Sequence, residues 1–328
     1  MKLGSLKGSN NPDGDLVVVS RDLKMAVKAT SVAPSLRQAL ESWSDSEPQL
    51  KKIAEDLESG KAKNSFAVQE KDFHSALPRT WLFADGSSFI YHIKLVRKAR
   101  NAPLPETLTT VPLIYQGEAG RFLDPLQDIP QMDFAHGTDF EAEVGVVTDF
   151  VPMGTTPEAA LKCIRLVVLI NDVSLRGLIP EELAQGFGFF QSKPASALSP
   201  VALTPDELGP AWKEGRVHLP LDVQYNGQFF GKANAGEMHF HFGQLIAHAA
   251  RTRDLQAGSI IGSGTVSNET QGVGSSCLAE KRMIEQIETG KIQTPFMKSG
   301  DTIEITMKSS QGENLFGRIF QKVKAVSR

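Results

Sequence analysis

The chain of 328 residues exceeds one typical domain, so a large domain joined to a smaller one is expected. A hydrophobic share of 41% suffices for a packed core, and a formal net charge of -3 gives no reason to expect nucleic acid as a partner. No apolar run approaches the roughly 20 residues that span a bilayer, and the start lacks the apolar stretch of a signal peptide. Cys163 and Cys277 stand in no metal-ligand spacing. A cytoplasmic protein with reduced thiols is the expectation.

Residues 1–78 read as a small α/β unit. Leu16-Val17-Val18-Val19 is a β-branched run that can pair with Met25-Ala26-Val27 across a polar turn. Ser35 precedes Leu36, Ala39 and Leu40 in the pattern of an N-capped helix, a second helix is expected from about Pro48 to Leu57, and residues 61–69 read as loop. From Arg79 the texture changes to short strands punctuated by glycine and proline. Glu141 to Val147 begins with alternation and turns β-rich. The nearly continuous apolar run Ile164 to Ile170 predicts a strand buried on both faces, with a short helix at Pro157 to Cys163 before it. Val217 to Tyr225 alternates and meets the hairpin signal Asn226-Gly227. Residues 237–253 read as a strand passing into a helix, and Thr302 to Met307 and Phe316 to Val326 as closing strands. Strands outnumber helices without regular βαβ alternation, so the fold class is α+β, mainly β.

Three acidic constellations carry the chemistry. On a strand, Glu141 and Glu143 share one face because the side-chain period is two. Burying two carboxylates together is costly without a cation, and hard divalent ions take such oxygen ligands; the same E-x-E pattern also fits a solvated strand face. Asp172 ends the buried run at Asn171, a position that suits either a ligand or a turn. If a helix starts there, Arg176 lies four residues on, on the same face. Asp85-Gly86-Ser87-Ser88-Phe89-Ile90-Tyr91-His92 adds a histidine with a suitable titration range. His239 and His241 alternate but have no third ligand at a recognisable spacing. The glycines of Gly262-Ser263-Gly264-Thr265 fit a tight turn or backbone N–H groups aimed at an anion.

Taken in order, these motifs resemble the fumarylacetoacetate hydrolase family from Arg79 to Val326. The resemblance rests on Asp85 with His92, Asp139-x-Glu141-x-Glu143, Asn171-Asp172-x-Ser174-x-Arg176, Lys193 with Ser199-Pro200, Ser263-Gly264-Thr265, Glu280, and the closing Ser299-Gly300-Asp301-Thr302-Ile303-Glu304-Ile305. It implies a mixed β-sandwich roll over residues 79–328 carrying a divalent metal, Mg²⁺ or Ca²⁺ with Mn²⁺ as a further choice, on Asp85, Glu141, Glu143 and Asp172. It further implies His92 as base oriented by Glu280, Lys193 as a catalytic cation, and Arg176, Tyr115 and Thr265 as substrate contacts. The implied activity is hydrolysis of a β-diketo acid, with fumarylacetoacetate the leading substrate, in a homodimer. Decarboxylation, isomerisation or acylpyruvate hydrolysis on the same metal, and a silent ligand-binding homologue, are the alternatives. Where the family carries a substrate-binding glutamine, this chain has Ile179.

Overall fold

The computed structural model describes residues 1–8, 10–99, 103–104 and 106–327. Two sheets dominate it, and helices are few. The larger has strands in the order Phe66–Ala67, Met25–Lys28, Asp15–Val19, Lys2–Leu6, Val201–Leu203, Ile164–Asn171, Ala142–Thr148, Ile260–Gly262, Phe83–Gly86 and Ile114–Gly117, with Ala197–Leu198 paired to Ile164–Asn171. The smaller runs Gln228–Asn234, Pro220–Tyr225, Thr302–Met307, Ile319–Ala325 and Ile129–Gln131. The N-terminal strands are continuous with the large sheet, because Lys2–Leu6 pairs antiparallel with Val201–Leu203.

The strand Ile164–Asn171 is buried on both faces from Leu166 onward, as its nearly continuous apolar run predicts, with Arg165 at its start half-buried and paired with Asp149. Val167 and Leu169 enter a core shared with Leu221, Ile303 and Ile305 of the smaller sheet. Leu166, Val168 and Ile170 enter a second core with Leu3, Leu16 and Val18 and with Leu36, Leu40, Trp43 and Leu50 of two N-terminal helices. From Leu166 onward the strand thus serves two cores, which leaves no room for polar residues until its end. The two sheets are also tied there by polar atoms. Asn171 Nδ2 donates to Gln321 Oε1 at 2.8 Å, and Asn171 Oδ1 accepts from the Glu141 N–H at 3.3 Å.

Local chemistry explains most elements. Ser35 caps the helix Leu36–Glu41, its side chain accepting from the Gln38 N–H. Asn226 and Gly227 have φ of 52° and 72°, the left-handed pair that a two-residue hairpin requires between Pro220–Tyr225 and Gln228–Asn234.

Several expectations are corrected. The second helix spans Trp43–Glu58 and carries Pro48 inside it, since burial of Trp43 and Leu50 outweighs the backbone bond that proline forfeits. Residues 61–69 include a two-residue strand, Phe66–Ala67, paired with Met25–Ala26. No helix begins at Asp172: Ser174–Leu175 pairs with Thr138–Asp139, and the helix Ile179–Gln185 follows later. No strand forms at 237–241. A short 3₁₀ turn, Ala235–Glu237, leads to His241, which precedes the helix Phe242–Ala249 with its N–H on Gln244 Oε1 at 3.0 Å. Among the described residues, no helix is long and apolar enough to cross a membrane.

Removing the polar tie between the sheets leaves Gln321 Oε1 and the Glu141 N–H without their Asn171 partner in a dry interior, while Gln321 Nε2 keeps its backbone acceptors. Asn171→Ala is expected to lower unfolding free energy by about 2–4 kcal/mol, read from the urea midpoint at unchanged slope.

Candidate active site

Strand register brings the acidic residues together. Gly262 lies level with Asp85 on one neighbouring strand and with Gly145 on the other, and Glu143 stands two residues beyond Gly145. A methyl group at Gly262 would collide with Asp85 Oδ1 and crowd Glu143 Oε2. The missing side chain is therefore the gap in which two carboxylates face each other. Gly264, at φ +77°, turns its N–H onto Asp85 Oδ1 at 3.1 Å, so this loop's donor is spent on a protein carboxylate. Asp172 follows the doubly buried strand, its N–H bonded to the Glu141 carbonyl at 2.9 Å. Asp85, Glu143 and Asp172 each bring an oxygen within 4.8 Å of the others.

The carboxylates then divide into two groups. Both oxygens of Glu143 are buried with no N–H or hydroxyl donor, and the group they face is the Asp85 carboxyl. Burial, together with the charges of Asp85 and Asp172, pushes its carboxyl well above the usual range. Burial first, and the Asp172 charge second, push Asp85 up to about 8. Glu141 is the opposite case. It accepts from Lys193 Nζ at 2.6 Å, Arg176 Nη2 at 2.6 Å, Thr265 Oγ1 at 2.8 Å and Ser174 Oγ at 3.2 Å. Burial alone would raise it, but Arg176 and Lys193 outweigh that and hold it well below the carboxylate range.

Lys193 binds Glu141, Asp172 (2.6 Å) and Ser174 (2.8 Å), three acceptors for three N–H donors. A role toward substrate requires it to exchange one of them. Tyr115 donates to Asp172 Oδ2 at 2.5 Å, and Arg176 also reaches Asp139 Oδ2 at 2.9 Å. The three expected substrate contacts, Arg176, Tyr115 and Thr265, thus all end on site carboxylates.

His92 sits in the first turn of the helix Ile90–Ala99, and Glu280 in the first turn of the packed helix Leu278–Thr289, where a carboxylate suits the helix dipole. His92 Nδ1 lies 2.8 Å from Glu280 Oε2. A carboxylate accepts, so the ring donates through Nδ1, which in the neutral imidazole places the lone pair on Nε2. Asp139 anchors this dyad's helix, accepting from the Leu278 N–H at 2.8 Å and the Ala279 N–H at 2.9 Å.

A cavity of about 370 Å³ opens onto Asp85, His92, Glu141, Glu143, Arg176, Lys193 and Thr265, and onto Leu113, Ile114, Ile179, Leu183 and Phe189. All ten sequence-selected residues belong to this one neighbourhood. Sequence reasoning assigned no site role to three others, although Asp139 stands in the acidic motif itself. Ser196 donates to Asp172 Oδ1 at 2.7 Å, and Asp139 ties Arg176 to the dyad helix. Cys277 places its thiol near His92 and Glu141 and caps Glu280. The polar run Ser192-Lys193 and the N-cap position before Leu278-Ala279-Glu280 were the available signals.

The donor set fits a hard divalent cation. It consists of oxygens, and Glu143 has two buried oxygens that no protein donor serves. Mg²⁺, Ca²⁺ and Mn²⁺ all accept such ligands.

Residues 82–324 match the family described as fumarylacetoacetate (FAA) hydrolase C-terminal, and residues 1–79 match fumarylacetoacetase N-terminal domain 2. Over 209 residues the chain is 26% identical to the 2,4-didehydro-3-deoxy-L-rhamnonate hydrolase of Sphingomonas sp. (strain SKA58), a stretch covering 62% of this chain and 63% of that enzyme. Its fold is shared with maleylpyruvate hydrolase from Sphingobium sp. SYK-6, at TM-score 0.67 and 14% identity over 99% of this chain and 100% of the other. The 5-carboxymethyl-2-hydroxymuconate delta-isomerase from Mycobacterium smegmatis aligns over 100% of both chains at TM-score 0.61 and 16% identity. At these identities the likeness to solved structures is one of fold.

Two measurements follow from the carboxylate cluster. Asp85, raised from 3.8 to about 8, favours the metal-free folded state below the lower value, and that contribution is lost as pH rises through the upper one. Chelated protein should therefore lose several degrees of melting temperature between about pH 4 and 8, a slope that saturating Mg²⁺ or Ca²⁺ flattens. Gly262→Ala should weaken divalent-ion binding about 10–100-fold in calorimetric titration.

Proposed function

Because this chain belongs to the fumarylacetoacetate hydrolase family, we propose that it hydrolyses a carbon–carbon bond in a β-diketo acid with a divalent cation bound. The observation that carries this reading is the His92–Glu280 pair, held at 2.8 Å, with His92 opening onto the same cavity as Asp85 and Glu143. A base aimed at the carboxylate cluster suits activation of water; simple ligand binding has no use for it.

Asp85, Glu143 and Asp172 would hold the cation, and Glu141 would complete the set by exchanging one of its present donors. When bound, the cation supplies a Lewis acid that polarises the substrate's carbonyl oxygens. His92 takes a proton from water through Nε2, while Glu280 fixes the ring and stabilises the imidazolium. The hydroxide oxygen bonds to one carbonyl carbon, and the bond from that carbon to the central carbon breaks. Its electron pair passes to the other carbonyl oxygen as an enolate, and His92 returns the proton to the central carbon. One water is consumed and a carboxylic acid and a methyl ketone product leave. Lys193 holds Glu141 and Asp172 in place, and an N–H released from one of them would be free to donate to the enolate oxygen.

Isomerisation or decarboxylation is the second reading, favoured by an isomerase sharing the fold over the whole chain. Product analysis separates the readings: two acids for hydrolysis, an isomer, or one acid and CO₂. Fumarylacetoacetate and a set of acylpyruvates are the substrates to assay, with and without chelator.

His92→Ala should lower kcat by about 10²–10⁴-fold with divalent-ion affinity retained, and Glu280→Gln should lower it less. Undiminished turnover by the His92 variant would remove the proposed base.

A further inference from the structure

The cavity has two unlike halves. One carries Asp85, His92, Glu141, Glu143, Arg176, Lys193 and Thr265; the other is Leu113, Ile114, Ile179, Leu183 and Phe189. Tyr115 stands at the seam. Its hydroxyl bonds to Asp172, and its ring meets Phe189 edge-on at 5.3 Å between centroids. Leu113 and Leu183 are 49% and 48% exposed at the mouth, so apolar surface there waits to be covered.

We propose that the apolar half receives an uncharged alkyl or aryl tail, so that the substrate is a β-diketo acid with an apolar acyl end. This rests on the hydrolytic reading above and adds the substrate class to it. Charge decides the matter. The cations lining the cavity, among the described residues, are Arg176 and Lys193, and both are paired with buried carboxylates: Arg176 with Asp139 and Glu141, Lys193 with Glu141 and Asp172. A second substrate carboxylate pointing toward Ile179 and Phe189 would lose its hydration with no cation there to compensate, and the uncharged hydroxyl of Ser87, which lines the same cavity, does not replace one. An alkyl or phenyl tail loses nothing there and removes apolar surface from water. A volume of about 370 Å³ suits a small metabolite with such a tail.

The test compares hexanoylpyruvate and benzoylpyruvate with fumarylpyruvate and fumarylacetoacetate, which carry a carboxylate at the far end. With the metal-loaded enzyme, kcat/KM should favour the apolar tails by about tenfold or more. In parallel, calorimetric titration compares α-ketohexanoate with α-ketoadipate, which need no turnover; the monoacid should bind about tenfold more tightly. Leu183→Arg, at a half-exposed position that tolerates the change, should narrow both ratios by supplying a cation. Cleavage with the carboxylate tails preferred overturns the tail assignment and leaves hydrolysis standing. Tighter binding of α-ketohexanoate without cleavage of any diketo acid supports the tail assignment and sinks hydrolysis. Ratios unmoved by Leu183→Arg overturn the assignment of this wall to the tail.

Discussion

Six carboxylates, those of Asp85, Asp139, Glu141, Glu143, Asp172 and Glu280, lie buried in one region of the fold, and Arg176 and Lys193 are the cations paired among them. Ionised together they could not stay dry without further positive charge or retained protons. The protein resolves this by sorting. Asp139 and Glu141 face Arg176, while Glu141 and Asp172 share Lys193. Asp85 and Glu143 are left facing each other, and burial together with the neighbouring negative charge raises both carboxyls above the usual range. Much of the surrounding architecture makes that unfavourable pair possible and aims it at the cavity.

The sheets carry the cost. Asp85 and Glu143 sit on strands separated by Ile260–Gly262, and Asp172 at the end of a strand whose other residues feed two apolar cores. Rigid strands fix the carboxylates more firmly than loops would, which is what a preorganised ion site requires. Gly262 leaves the space between them empty, and Asn171 ties the acidic strand end to the second sheet through Gln321. Loosening either would let the carboxylates separate and relieve the charge that draws in a cation.

Period and spacing made much of this legible. Two-residue periodicity alone puts Glu141 and Glu143 on one face, and the apolar run before Asp172 marks it as a buried strand end. The seven-residue step from Asp85 to His92 carries the chain from strand to helix within one loop. What the sequence could not display is pairing across long stretches of chain. Glu141 reads as an equal of Glu143, yet Lys193, Arg176 and Thr265 all close on it, the last from 124 residues away. Asp139 looks like a third member of the acidic run, but its work is to hold the helix beginning at Leu278, 139 residues on. Trp43 extends its helix past what Pro48 alone permits, because burial is a property of the folded whole. His241 alternates with His239 as a strand would, and becomes the residue before a helix.

Tyr115 shows how charge sorting and substrate choice are coupled. Burial, then the neighbouring Asp172 charge, raise its phenol well above the usual range, so it stays a donor and keeps Asp172 Oδ2 oriented. Lys193 Nζ lies 4.9 Å over the same ring, a cation–π contact on the charged side of the cavity. The other edge of that ring meets Phe189, and Ile179 continues the apolar wall. One aromatic side chain therefore closes off the charged compartment on one side and begins the apolar one on the other. A tail that needed a counter-charge would have to draw Lys193 away from Glu141 and Asp172, exposing the repulsion it now balances. The same electrostatic constraint that calls for a cation in one half of the cavity excludes a second anion from the other.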